Sequence, residues 1–209
     1  MTKLDSIFLP SKGLFTFESE GQEGGRYHSR ILQVPSLQSG LTIGRGYDCK
    51  DKSSLKIEND LLAAGISHQY SKTIALSSGL AGEKVKSFIT QYNLSNFEIT
   101  PEQQLKLFEL IYNEMENDVI RICNKEDCII KYGSVIWNTL PPPMKDITVD
   151  LRFRGDYTPI SRQIIQPSLA ENDHYAFMAA LSDQSKWSNV PMDRFQRRRT
   201  YLMESLKLN

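Results

Sequence analysis

The sequence is poor in the features that most directly signal a function. It holds three cysteines in 209 residues, Cys49, Cys123 and Cys128. An odd count in so long a chain argues against a disulfide framework. Cys123 and Cys128 frame C-N-K-E-D-C, which is not a zinc-ligand spacing, and the chain has only three histidines. A metal site is therefore not expected. Charge of one sign is also missing: Lys plus Arg and Asp plus Glu each total 25. No global field would hold the protein on nucleic acid or on an anionic membrane. Long hydrophobic runs are absent too. The opening MTKLDSIFLPSKGLF has only the apolar run Ile7 to Leu9, broken by Pro10, too short for a secretory signal. No window approaches the roughly 18 apolar residues of a membrane span. The expectation is synthesis in the cytoplasm without a signal peptide.

What the chain does have is 40% hydrophobic residues, enough for one sizeable core. The first 50 residues carry short apolar runs, LFTF, RILQV and LTIG, separated by Gly, Ser, Pro and Gln. They suggest an opening helix followed by short strands. From about residue 52 helical periods take over. Ser53 is placed to cap a helix ending at Gly65, and two short helices follow. Thr100-Pro101-Glu102-Gln103 is a strong helix start, with a cap, proline at the first position and a glutamine three residues on. Leu105, Leu107, Phe108, Ile111 and Tyr112 continue that helix at core spacing. TLPPPM is a break, DITVDLRFRGDYTP is ambiguous between helix and strand, and two closing helices follow, capped by Asn172 or Asp173 and opened by Pro191. The expected architecture is α+β: a single domain over 1–209, with a small β-hairpin lobe over about 1–50 and a mainly helical lobe over about 52–209.

Candidate chemistry concentrates in the front lobe. Glu18, Glu20 and Glu23 precede Thr42, which is followed by I-G-R-G-Y and then Asp48. Gly44 and Gly46 would bend the chain and bring Asp48 back towards the Thr42 hydroxyl. A hydroxyl and a carboxylate around one water, with a second carboxyl able to donate a proton, suit glycoside hydrolysis. Turn chemistry uses the same residue types, so spacing alone leaves both readings open, and any of the three glutamates could be the acid.

Glu20-Gly21, Tyr27-His28-Ser29-Arg30 and above all Ser39 to Asp48, S-G-L-T-I-G-R-G-Y-D, resemble the pesticin-type muramidases, toxin relatives of the phage lysozymes. The resemblance implies a lysozyme-like fold with an active-site groove between its lobes. It implies Glu20 as general acid, since the family places a glycine directly after the acid, which Glu18 lacks and which Glu23 has only close to the loop, and it implies that no metal or organic cofactor is needed. Thr42 and Asp48 would bind and activate the attacking water, which inverts the sugar. Arg45, Tyr47 and Tyr27 would contact substrate. The implied reaction is cleavage of the β-1,4 bond between N-acetylmuramic acid and N-acetylglucosamine in peptidoglycan, in the periplasm or wall of a target cell after non-classical delivery. An immunity protein is an expected partner, and the protein is expected to be a monomer. Cys49 stands where the family pattern has methionine, a departure that a small soft side chain tolerates. The rival readings are a non-catalytic peptidoglycan-binding module and a related glycosidase: a chitinase, chitosanase or lytic transglycosylase. Arg194, Arg197, Arg198 and Arg199 read as a solvated helix face, Arg152, Arg154 and Asp156 as a structural charge network.

Overall fold

The computed structural model describes residues 6–25 and 27–206. It is mostly helical. Among the described residues there are ten α-helices and one hairpin whose strands, β1 (Thr42–Ile43) and β2 (Tyr47–Asp48), have two residues each. The α+β expectation is therefore corrected. LFTF lies inside α1 (Leu14–Ser19), an opening helix, but RILQV, expected among the strands, forms only isolated bridges, Ile31 with Glu98 and Gln33 with Thr42. A short apolar run does not by itself specify a strand.

The chain divides into two compact units, Met1–Ile111 and Tyr112–Asn209. The first contains α1, the hairpin, α2 (Ser54–Ala63), α3 (His68–Ala75), α4 (Glu83–Gln91) and the start of α5 (Pro101–Cys123). Ser53 accepts from the Lys56 N–H and Ser67 from the Tyr70 N–H, so each serine caps its helix, Ser53 as the sequence suggested. Thr100 and Gln103 form a reciprocal capping box at the start of α5. Phe17, Leu41, Ile43, Tyr47, Ile99 and Phe108 are fully or almost fully buried. The Phe17 and Phe108 rings meet edge to face, 5.0 Å apart.

The second unit is built around α7 (Pro142–Arg154). Met144, Ile147, Thr148, Val149, Asp150 and Leu151 are all buried, so the helix is enclosed nearly all round. This explains the ambiguity of DITVDLRFRGDYTP, because an enclosed helix loses its polar stripe. The unit also holds α6 (Glu126–Tyr132), α8 (Pro159–Ala170), α9 (His174–Ser182) and α10 (Met192–Ser205); α10 packs on α7 and on α9, and α8 on α9 and α6. Asp173 caps α9. Asp150, with no exposed surface, accepts from the guanidinium groups of Arg194 and Arg198 on α10. Arg194 and Arg198 are one helical turn apart and face inward, which corrects the reading of that cluster as a solvated face. Asp156 joins the knot through Arg154 at 2.6 Å and Arg198 at 2.9 Å.

No helix among the described residues is long and apolar enough to cross a membrane. Removing one member of a buried ion pair strands the other charge. Asp150→Ala should therefore destabilise the protein by about 3–5 kcal/mol, read as a lower urea midpoint at unchanged slope.

Candidate functional site

The run Gly40 to Asp48 sets the hairpin. Gly44 and Gly46 flank Arg45 in the three-residue loop with φ of 64° and 90°, values that glycine adopts without strain. The register pairs Thr42 with Asp48 and Ile43 with Tyr47. Directly opposed residues share a face, so the Thr42 hydroxyl and the Asp48 carboxylate lie on one side of the ribbon, while Ile43 and Tyr47 enter the core on the other.

Backbone amides fix the Asp48 carboxylate. Gly40 donates to one oxygen at 3.0 Å and Lys50 to the other at 2.8 Å. A Cβ on residue 40 would collide with that carboxylate and stand 2.7 Å from the Lys50 nitrogen, so glycine is needed for the close approach. Each carboxylate oxygen keeps a lone pair for a further donor. The Thr42 hydroxyl reaches the Gly40 carbonyl at 3.4 Å. That is long for an O–H···O bond and leaves the hydroxyl easily turned towards a water.

Glu20, half-buried, is the C-cap residue of α1, and its backbone N–H donates to the Thr16 carbonyl. The next residue, Gly21, packs against Ser29 and the aliphatic stem of Arg45; a Cβ there would strike the Ser29 hydroxyl. Ser29 in turn accepts from the Gln22 N–H at 2.7 Å and donates to the Gln22 carbonyl. Glu20-Gly21, Ser29 and the hairpin loop, separate in sequence, thus meet at one place.

Arg45 makes this junction. It is 4% exposed, its guanidinium lies 3.9 Å from the Phe17 ring centroid, and it donates to the carbonyls of Phe17 at 2.6 Å and Gly21 at 2.7 Å. It also pairs with Glu23 at 3.0 Å. Tyr47 is equally enclosed, its hydroxyl donating to Asp60. These two side chains, expected to meet substrate, are instead buried parts of the scaffold. Tyr27, the third, is 63% exposed.

Glu23 is the residue whose importance the sequence hid. Its carboxylate receives Arg45, Arg30 at 2.9 Å and the Gln104 amide at 2.8 Å. Burial by itself pushes this carboxyl up, but hydrogen bonds from Gln104, Arg45 and Arg30 outweigh it and hold the group below its ordinary value of 4.5. Glu23 is thus a fixed anion, ill suited to donating a proton near neutrality. Gln104 did carry a signal: it sits three and four residues before Leu107 and Phe108 on the apolar face of α5, fully buried. His28 accepts from the Gly24 N–H and faces Glu98 at 3.1 Å, a structural role. Glu18 is exposed.

Cys49 is buried and its thiol is pushed up to about 12 by burial, which makes it a poor nucleophile. Among the described residues no group of three or more His, Cys, Asp or Glu is placed to hold a metal ion. A cavity of about 480 Å³ in the second unit is lined by Thr158, Ile160, Lys186, Trp187 and Asn189 among others; Glu20, Thr42 and Asp48 all lie in the first unit and do not line it.

The lowered Glu23 carboxyl links stability to acid. Its contribution is fully present above the unfolded value, near 4.5, and is lost as pH falls through the lower folded value. Acid unfolding curves of wild type and Glu23→Gln should run parallel above that pH and converge below it. Gly21→Ala should lower the melting temperature, since the new methyl must displace Ser29 or Arg45, at a cost of about 1–3 kcal/mol.

No curated protein matches the sequence significantly. The profile of one family, described as a domain of unknown function, DUF8812, matches residues 13–199, which spans α1, the hairpin and most of α10. The chain belongs to the DUF8812 family of domains of unknown function.

Proposed function

We propose that the protein is a peptidoglycan hydrolase of the muramidase type, cleaving the β-1,4 bond between N-acetylmuramic acid and N-acetylglucosamine. The observation that carries this reading is the cross-strand pair of Thr42 and Asp48, with the Asp48 carboxylate fixed by two backbone amides. The resemblance of Ser39 to Asp48 to the pesticin-type muramidases supports it, as does the Glu20-Gly21 junction.

The roles follow from the chemistry of each group. Glu20 protonates the glycosidic oxygen as the bond to the anomeric carbon breaks. Asp48 and the Thr42 hydroxyl hold a water on the opposite face of the sugar, and Asp48 takes its proton as the water attacks. The backbone grip on Asp48 keeps it where a water must stand. Room for that water requires the two carboxyl groups to be roughly 6.5–9.5 Å apart. Glu18, exposed, and Glu23, held as an anion by two arginines, are left out of the acid role.

Purified sacculi provide the test. Wild type should solubilise them and release muropeptides with reducing muramic ends. Glu20→Gln should lose at least about 100-fold in rate at unchanged melting temperature; Asp48→Asn should lose as much in rate and also some melting temperature, since its amide nitrogen would face the N–H of Gly40 or Lys50; and Thr42→Ala should lose less in rate. Equal clearance by wild type and Glu20→Gln would remove the catalytic assignment; 1,6-anhydro ends would make the enzyme a lytic transglycosylase.

A further inference from the structure

We propose that Arg45 is a positioning residue for Glu20: by capping the end of α1 from the hairpin loop, it sets the proton donor against the Thr42–Asp48 pair. The proposal rests on the hydrolase reading of the same site.

The argument starts from α1. It has six residues and no side-chain cap at its start, far below the roughly 12–15 residues at which an isolated helix is even marginal in water. Its last carbonyls have no helical partner. Arg45 donates to the Phe17 carbonyl, three residues before Glu20, and to the Gly21 carbonyl, one residue after it. Two points on either side of Glu20 are thus held by one planar group. A cation at a helix C-terminus is also favoured by the helix dipole.

The same guanidinium is held from behind by Glu23 and rests on the Phe17 ring. Glu23 is braced in turn by Gln104 from α5 and by Arg30. Arg45 sits three residues from Thr42 and three from Asp48 within one tight turn, so the loop that carries it cannot shift without moving both. Glu20 and the water-holding pair are therefore coupled through a single buried side chain. One guanidinium nitrogen donates to both carbonyls while another meets Glu23 and the plane rests on Phe17; the shorter lysine, with a single compact ammonium, cannot meet all of these at once.

The test uses the full chain with ¹³C-carboxyl-labelled glutamate. Arg45→Met and Arg45→Lys are compared with wild type for turnover of sacculi and for the Glu20 carboxyl resonance. In both variants kcat should fall about 100-fold, as expected for a misplacement of about 1 Å, with KM within about twofold and the Glu20 resonance displaced. Lysine, which keeps a charge beside Glu23, should recover part of the melting temperature lost in Arg45→Met without recovering kcat. If Arg45→Met fails to fold, Arg45→Lys and Glu23→Gln provide the same readings. Retention of kcat within about threefold in folded variants, or an unmoved Glu20 resonance, overturns the proposal. Should wild type itself lack turnover, the hydrolase reading falls, and the resonance alone decides whether Arg45 holds Glu20.

Discussion

The buried pair of Arg45 and Glu23 is the constraint on which the first unit depends. Burying either charge alone would be strongly unfavourable, so each needs the other together with further hydrogen bonds. Glu23 receives Arg45, Arg30 and Gln104, and Arg45 also donates to two backbone carbonyls. Three stretches distant in sequence are fixed relative to one another: the end of α1 with Gly21, Glu23 and Arg30 that follow it, the hairpin, and the start of α5. An apolar substitute could fill the same space, but it would not dictate which carbonyls the loop meets. The second unit repeats the device with Asp150 between Arg194 and Arg198.

Much of this order was legible in the sequence. Ser53, Thr100 with Gln103, and Asp173 announce their helices because capping is local and needs only a few neighbouring residues. The paired glycines of T-I-G-R-G-Y-D announce the hairpin for the same reason. The sheet content was overestimated because RILQV has strand-like composition without a fixed period. Only tertiary packing decides that it pairs at isolated points. The long helix α7 was ambiguous because it is enclosed and so has no polar face to reveal its repeat.

The site divides along the same line. Thr42 and Asp48 could be placed opposite each other from the glycines between them. Arg45 and Tyr47 could not be placed, because a hairpin side chain points either to solvent or to core, and the turn alone does not determine which. Glu23 was legible only as one of three candidate acids, and nothing local marked it as a buried anion. Its burial depends on Arg30, Arg45 and Gln104, and the last lies 81 residues away. Gln104 offered the one usable hint, a polar residue on the apolar stripe of α5.

The proposed chemistry turns on Asp48: in that reading it holds a water and does not itself attack the sugar. Its two amide bonds fix the position of the carboxylate, and in the proposed reaction the adjoining Thr42 hydroxyl would give that water a second contact. The most direct measurement is the anomeric configuration of the newly formed reducing end, followed by ¹H NMR in the first minutes of digestion of a soluble glycan chain. Direct attack by the held water predicts the α-anomer first, relaxing later to the equilibrium mixture. Initial appearance of the β-anomer, or of no reducing end, contradicts the account.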